Sequence, residues 1–297
     1  MTTARTPLAA ESGTFSLGDD LSVHRLGFGA MRLTGPGIWG PPPDRREALA
    51  VLRRAVALGI NLIDTADSYG PFVSEELIAE ALYPYPAGVV IATKGGFQRP
   101  GPNQWVPDGQ PDHLRAAVEG SLKRLRLERI DVYQLHTPDP HVPYEDSVGA
   151  LVELQRAGKI RHIGLSNVTT AQLAQGRQMA PIVSVQNRYN LTDQAAKDVL
   201  EVCTRDDLGF LPWFPLATGE LARGGGPLDQ IARRHQTGGA QIALAWLLNR
   251  SHVMLPIPGT STVRHLEENV AAASIRLTRE EMEQLNTASG QETTSLP

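Results

Sequence analysis

The stretch ALGINLID, residues 57–64, decides how the chain is read. A helical stripe runs into Gly59, and an apolar run then ends on the acid Asp64. A glycine at that point suits the left-handed residue that closes a helix. The same junction returns as RAGKIRHIG (156–164) and DLGFLPW (207–213), with Gly158 and Gly209 in the equivalent place. Apolar β-type runs occur at 27–31, 61–66, 89–94, 130–136, 160–166, 182–187, 209–214 and 253–258. They are short and apolar on both faces, as strands of a buried parallel sheet are. The intervals carry helical stripes: Leu49, Leu52 and Val56; Val118, Leu122 and Leu125; Val148, Leu151, Val152 and Leu154. Eight such units without a linker predict one (β/α)8 TIM barrel over residues 1–297, with 1–12 and 290–297 as flexible termini. The strand count and the repetition to the end favour the barrel over a doubly wound open sheet. TFSLGDDLSV (14–23) predicts an N-terminal β-hairpin that plugs the barrel bottom.

Composition narrows the function classes. The 297 residues are 41% apolar and 20% charged, ordinary values for a globular protein. A net charge of −4 offers no attraction to nucleic acid or an anionic membrane. One cysteine, Cys203, rules out an internal disulfide and a cysteine-rich metal site. The first residues lack the apolar core of a signal peptide, and no run reaches the ~18 apolar residues of a membrane span. The expectation is a cytoplasmic protein. The histidines show no HExxH spacing and no GxSxG occurs, so neither a metal centre nor a hydrolase triad is expected.

In a barrel the chemistry gathers at the carboxyl ends of the strands. Asp64, Lys94, His136, Ser166, Asn167, Gln186 and Asn187 stand at such ends, and Tyr69 lies in the loop after Asp64. Each alone has a bland reading: a cap, a solvated lysine, a core histidine. Four titratable groups at consecutive strand ends change the balance. Lys94 follows VVIAT, so its ammonium is enclosed and needs a carboxylate, which Asp64 supplies from the neighbouring strand. A lysine beside a phenol is expected to lower the tyrosine pKa from ~10 and make it a usable general acid. His136 is placed to orient a substrate oxygen.

IDTADSYG, IATKGG, DVYQLH, IGLSNV, SVQNRYN and LPIPGTSTVRHLEENV, in this order, resemble the aldo-keto reductase family over about residues 15–287. The resemblance implies a tetrad of Asp64, Tyr69, Lys94 and His136, with hydride passing from NADPH to a carbonyl carbon. It implies that Ser166, Asn167 and Gln186 hold the nicotinamide carboxamide and that Trp213 stacks on its ring. PLATGEL (215–221), with Pro215, Leu216, Gly219 and Leu221, resembles the pyrophosphate loop. Thr260, Ser261 and Arg264 are implied for a 2′-phosphate, and Glu268 and Asn269 for adenine. One branch of the family has lysine where Gly259 stands and arginine where His265 stands, so NADPH over NADH rests on Arg264.

LGFGAMRL (26–33) imitates a dinucleotide fingerprint, but Arg32 replaces its third glycine and Asp44 and Glu47 fall at the next helix start. Gly29 and Met31 are expected instead at the barrel mouth beside the nicotinamide. Two insertions, TGPGIWGPPP (34–43) and RPGPNQWVPDGQP (99–111), offer Trp39 and Trp105 as substrate contacts. The tail SGQETTSLP is short, so no long C-terminal loop is expected to choose the substrate. RLGFGAMRLTGPGIWGPP and ALYPYP resemble a branch that includes pyridoxal reductases, which makes pyridoxal a candidate and a sugar or secondary-metabolite carbonyl the runner-up. The same fold also serves as an NADPH-binding sensor subunit of a membrane channel, a second class that turnover would separate.

Overall fold

The computed structural model describes residues 8–216 and 226–291. The chain opens with a hairpin, β1 (Thr14–Leu17) and β2 (Leu21–His24), followed by β3 (Phe28–Gly29) and α1 (Arg45–Ala57). The units β4 (Leu62–Asp64) with α2 (Val73–Leu82) and β5 (Val90–Gly95) come next. A small hairpin, β6 (Phe97–Gln98) and β7 (Val106–Pro107), precedes α3 (Pro111–Leu125). Then follow β8 (Ile130–Leu135), α4 (Tyr144–Arg156), β9 (Ile160–Ser166), α5 (Thr170–Met179), β10 (Ile182–Gln186) and α6 (Lys197–Asp206). β11 (Gly209–Phe210) is succeeded by α7 (Pro227–Arg234), α8 (Gly239–Arg250), α9 (Val263–Ala271) and α10 (Arg279–Gln291).

Seven strands form one parallel sheet in the order β11-β10-β9-β8-β5-β4-β3. The eighth stave is the segment 253–258. On one side Phe210 donates to Val253 and accepts from Leu255, both at 2.8 Å. On the other, Gly27 N–H reaches the Pro256 carbonyl at 2.9 Å and Gly29 N–H reaches Pro258 at 3.5 Å. The cylinder therefore closes, giving the (β/α)8 barrel. Pro256 and Pro258 have no N–H to return toward β3, so this seam is bonded in one direction only. Gly29 makes the seam possible: a Cβ there would lie 2.6 Å from the Ile257 carbonyl oxygen.

The hairpin caps the amino-terminal end of the staves. Asn61, just before β4, bonds the backbone of His24 and Ser22. Arg161 and His162 of β9 hold Asp20 in the hairpin turn. Gly59 and Gly158 are left-handed, at φ +84° and +75°. Gly209 departs from that expectation: Asp207 takes the left-handed place after α6, at φ +55°. Gly209 is instead the first residue of β11, where a Cβ would meet Leu17 at 2.6 Å. Glycine is needed there for the plug, not for the turn. Residues 9–12, within the segment expected as a flexible terminus, form a 3₁₀ turn with Ala9 fully buried.

Between β5 and the outer helices lies a buried polar cluster. Thr93 donates to Glu75 of α2 at 2.6 Å, and Arg124 of α3 holds the other Glu75 oxygen at 2.6 Å. Asp67, whose N–H binds the Lys94 carbonyl at 3.1 Å, is 4% exposed, and its Oδ1 has no hydrogen-bond partner. Burial, then the charge of Glu75, pushes its pKa up to about 8.

Two outcomes follow from this packing. Gly29→Ala forces the closing seam apart and is expected to lower unfolding free energy by roughly 1–3 kcal/mol; urea midpoints at an unchanged slope measure it. Asp67 binds its proton more tightly folded than unfolded, so between its unfolded value near ~4 and its folded value it erodes stability as pH rises. The melting temperature of Asp67→Asn should gain on that of the parent from pH 5 to pH 9; a constant gap would show that Asp67 does not titrate there.

Candidate active site

Three neighbouring staves bring the polar strand ends together. Strand alternation turns Lys94 of β5 inward, two residues past Ala92, the register partner of Asp64 at the end of β4. Lys94 is 0% exposed and Asp64 2%. The ammonium donates to Asp64 Oδ2 at 2.8 Å, to the Thr65 carbonyl at 2.7 Å and to the Tyr69 hydroxyl at 3.3 Å. Every Lys94 N–H is thus used. The second Asp64 oxygen accepts from Gln186 of β10 at 2.8 Å and from Gln134 of β8 at 3.4 Å. A buried ion pair is tolerated when its remaining lone pairs are satisfied in this way.

Tyr69 reaches the same point from the turn after β4, held by its N–H to the Ala66 carbonyl at 3.2 Å. Burial raises its pKa, against the pull of Lys94, which acts to lower it. The expected lowering of the phenol is therefore corrected: enclosure wins over the ammonium, and the Asp64 charge also acts to raise it. Burial likewise acts to lower the Lys94 pKa, but Asp64 and Tyr69 outweigh it and the net direction is upward. His136, just beyond β8, is held well below its ordinary value by burial and by the nearby cations Lys94 and Arg99. Its Nδ1 lies 3.3 Å from the Ser68 hydroxyl. The imidazole is neutral, and its ring stands edge-on to Tyr69, with centroids 5.8 Å apart.

The Tyr69 side of this cluster opens into a cavity of about 190 Å³. Gly29, Met31, Gln186, Trp213, Pro215, Leu216 and Gly259 line it together with Asp64 and Tyr69. Ser166 and Asn167 sit behind it. Asn167, left-handed at φ +57°, donates to the His136 carbonyl at 2.9 Å and accepts the Trp213 indole N–H at 2.9 Å. This fixes the indole plane against the cavity. Thr260 and Ser261 line an adjoining groove of about 770 Å³ beside residues 31–38, which shares Met31, Arg32 and Gly259 with the first cavity. Arg264 is exposed and touches His265 at 3.0 Å and Glu268 at 4.0 Å. Asn269 is 6% exposed, on the inner face of α9. Gly219 and Leu221 lie outside the described residues.

Neither Trp39 nor Trp105 lines the smaller cavity. Trp105 instead stands edge-on to Tyr69 at 6.3 Å, and Trp39 reaches the site through Arg99. Sequence reading passed over Gln134, Phe97 and Arg99. Gln134 had a signal, because it shares the inward face of β8 with His136 two residues on. Phe97 and Arg99 had none: the 99–111 insertion pointed to Trp105, and nothing in its pattern singled out Arg99 or the preceding Phe97.

The first cavity is a slot lined by the Trp213 indole, by Gly29 and Gly259, which bring no side chains, and by Gln186. An aromatic face, bare backbone and an amide carbonyl fit a nicotinamide. Among the described residues no group of three or more His, Cys, Asp or Glu side chains could hold a metal ion. No described helix is long and apolar enough to cross a membrane.

The Aldo/keto reductase family profile matches residues 25–289. An uncharacterized oxidoreductase of Schizosaccharomyces pombe is 51% identical over 92% of this chain and 88% of its own length. Pyridoxine 4-dehydrogenase of Escherichia coli is 45% identical over 93% of this chain and 98% of its own. An aldo-keto reductase from Klebsiella pneumoniae, solved in complex with NADPH, superposes with a TM-score of 0.78 at 27% identity, covering 93% of this chain and 94% of that one. By the profile, the relatives and the barrel alike, the chain belongs to the aldo/keto reductase family.

Proposed function

We propose that the protein is an NADPH-dependent oxidoreductase that reduces an aldehyde or ketone to an alcohol, with pyridoxal as the first candidate substrate. One observation carries the reading: a fully buried, charge-paired ammonium lies 3.3 Å from a phenol that lines a cavity. Bound NADPH supplies the hydride. The residues of this chain supply the proton and the electrostatics. Tyr69, its pKa raised, keeps its proton and gives it to the alkoxide oxygen that forms. Lys94 then stabilises the phenolate left behind, and Asp64 holds Lys94 in place. His136 pairs Nδ1 with Ser68, which leaves Nε2 to hydrogen-bond the substrate oxygen as charge develops there.

For the cofactor, the fit of Gly29, Met31, Gln186, Trp213, Pro215, Leu216 and Gly259 around the slot supports binding of the nicotinamide end. Ser166 and Asn167 fit a supporting role, locking the Trp213 and His136 positions. Thr260, Ser261, Arg264, Glu268 and Asn269, with Gly219 and Leu221, remain the proposed contacts to the phosphates and adenine. Pyridoxal is supported by the 45% identity to a pyridoxine 4-dehydrogenase. The lone, buried Cys203 suits a reducing cytoplasm.

NADPH absorbance followed with pyridoxal, sugar aldehydes and simple ketones tests the reading. Turnover of at least one carbonyl is expected; tight NADPH binding without turnover on any would favour the sensor class instead. In Tyr69→Phe, kcat/KM should fall about 10²–10⁴-fold while NADPH affinity holds. Between pH 6 and 7.5 kcat/KM should stay level, because His136 is already neutral; an inflection near 6.5 would mean that this histidine titrates in the working range.

A further inference from the structure

Among the described residues, Arg99, near the reaction chamber, has no acid to pair with. Arg99 follows β6, and its guanidinium is held by main-chain carbonyls from separate loops. Nε donates to Gln104 at 2.8 Å, Nη1 to Ser68 at 2.7 Å and Nη2 to Gly37 at 3.1 Å. Ser68 is the residue before Tyr69. Gly37 belongs to the 34–43 insertion, and Gln104 to the 99–111 insertion. The guanidinium also stacks on Trp105, 3.7 Å from the ring centroid, and faces Trp39 at 5.7 Å. Held this way it cannot swing out to solvent as an ordinary surface arginine does.

Its surroundings leave the charge uncompensated. The carbonyls are neutral, the tryptophans are neutral, and His136 is neutral. Asp108, the acid of the same insertion, is taken by Gln98 at 2.6 Å and His113 at 3.4 Å. An arginine has five N–H groups, and three are used here, so one on each Nη is free to donate. Trp105, on which the guanidinium lies, stands edge-on to Tyr69 and to His136, with centroids 6.3 and 6.2 Å away. The charge is therefore fixed one ring's breadth from the groups that meet the carbonyl oxygen.

We propose that Arg99 is a specificity-determining residue that selects carbonyl substrates bearing an anionic group, such as a phenolate or carboxylate, a few ångströms from the reacting carbon. This rests on the carbonyl-reductase reading of the same site. The planar Trp105–Arg99 stack favours a flat aromatic aldehyde as the carrier of that anion, since ring and charge are then met by adjacent surfaces.

The test uses the whole chain with NADPH and two matched aldehydes, 4-carboxybenzaldehyde and its methyl ester. In the parent protein, kcat/KM for the acid should exceed that for the ester about five- to tenfold, through KM. Arg99→Gln should abolish the ratio, and Arg99→Lys should restore part of it. A merely structural role would change both substrates alike and leave the ratio intact, which would overturn the proposal; Arg32, which lines the cavity, would then be the cation to examine. Should Arg99→Gln fail to fold, the parent protein still decides. Raising ionic strength from 20 to 500 mM should cut kcat/KM for the acid and spare the ester; equal responses would sink the assignment. If the parent reduces neither aldehyde nor any other carbonyl, it is the carbonyl-reductase reading that fails, not the selectivity.

Discussion

Lys94 carries a positive charge with no contact with water, and the top of the barrel is organised around keeping it satisfied. Removing one partner of such a buried pair costs about 3–5 kcal/mol, because the other charge is stranded. Asp64 answers the charge, the Thr65 carbonyl takes a second N–H, and the third is left pointing at Tyr69. Gln186 and Gln134 then tie the far oxygen of Asp64 to two further staves. The ion pair is thus also a brace: four strands of the closed sheet meet through one carboxylate and one ammonium. The geometry needed to stabilise a phenolate is the same geometry that makes the burial tolerable.

Closure of the cylinder keeps this brace in register. The seam between β3 and 253–258 is bonded in one direction only, and Gly29 and Gly259 let the two backbones approach. Those same glycines leave the cavity floor without side chains. A Cβ at either position would meet the facing backbone oxygen, at 2.6 Å for Gly29 and 2.7 Å for Gly259, and spread the seam. Because both glycines also line the cavity, a shift of the seam is a shift of the cavity wall.

Much of this was legible in the sequence. The stave repeat and several helical stripes follow from hydrophobic periodicity, and the polar residues at strand ends marked Asp64, Lys94 and His136 as candidates, with Tyr69 in the next loop; their grouping as a tetrad came from the family resemblance. Alternation along a strand sets the inward direction of Asp64 and Lys94, and His136 continues the inward face of β8 two residues past Gln134; Tyr69 is aimed by the turn after β4. Other points were not legible. The direction of the Tyr69 pKa depends on depth of burial against distance to Lys94, and neither is written in a motif. The role of Gly209 depends on Leu17, nearly two hundred residues away in sequence, pressing on it. Ser166 and Asn167 were placed at the right strand end, but whether they face the cavity or stand behind it is a matter of ångströms.

The loops show why this boundary falls where it does. A stave residue finds its partners through side chains, so its partner's type leaves a trace in the sequence. Arg99 binds three carbonyl oxygens, which every residue type offers alike. Nothing about Gly37, Ser68 or Gln104 as residue types announces that they share a guanidinium. Had Arg99 been paired with an acid, its charge would be cancelled and its partner guessable. Main-chain anchoring does the opposite: it holds the insertions against the Tyr69 turn while leaving the charge unpaired over the Trp105 ring. Where a loop is anchored in this way, the feature that escapes the sequence is also the one best suited to act on a substrate.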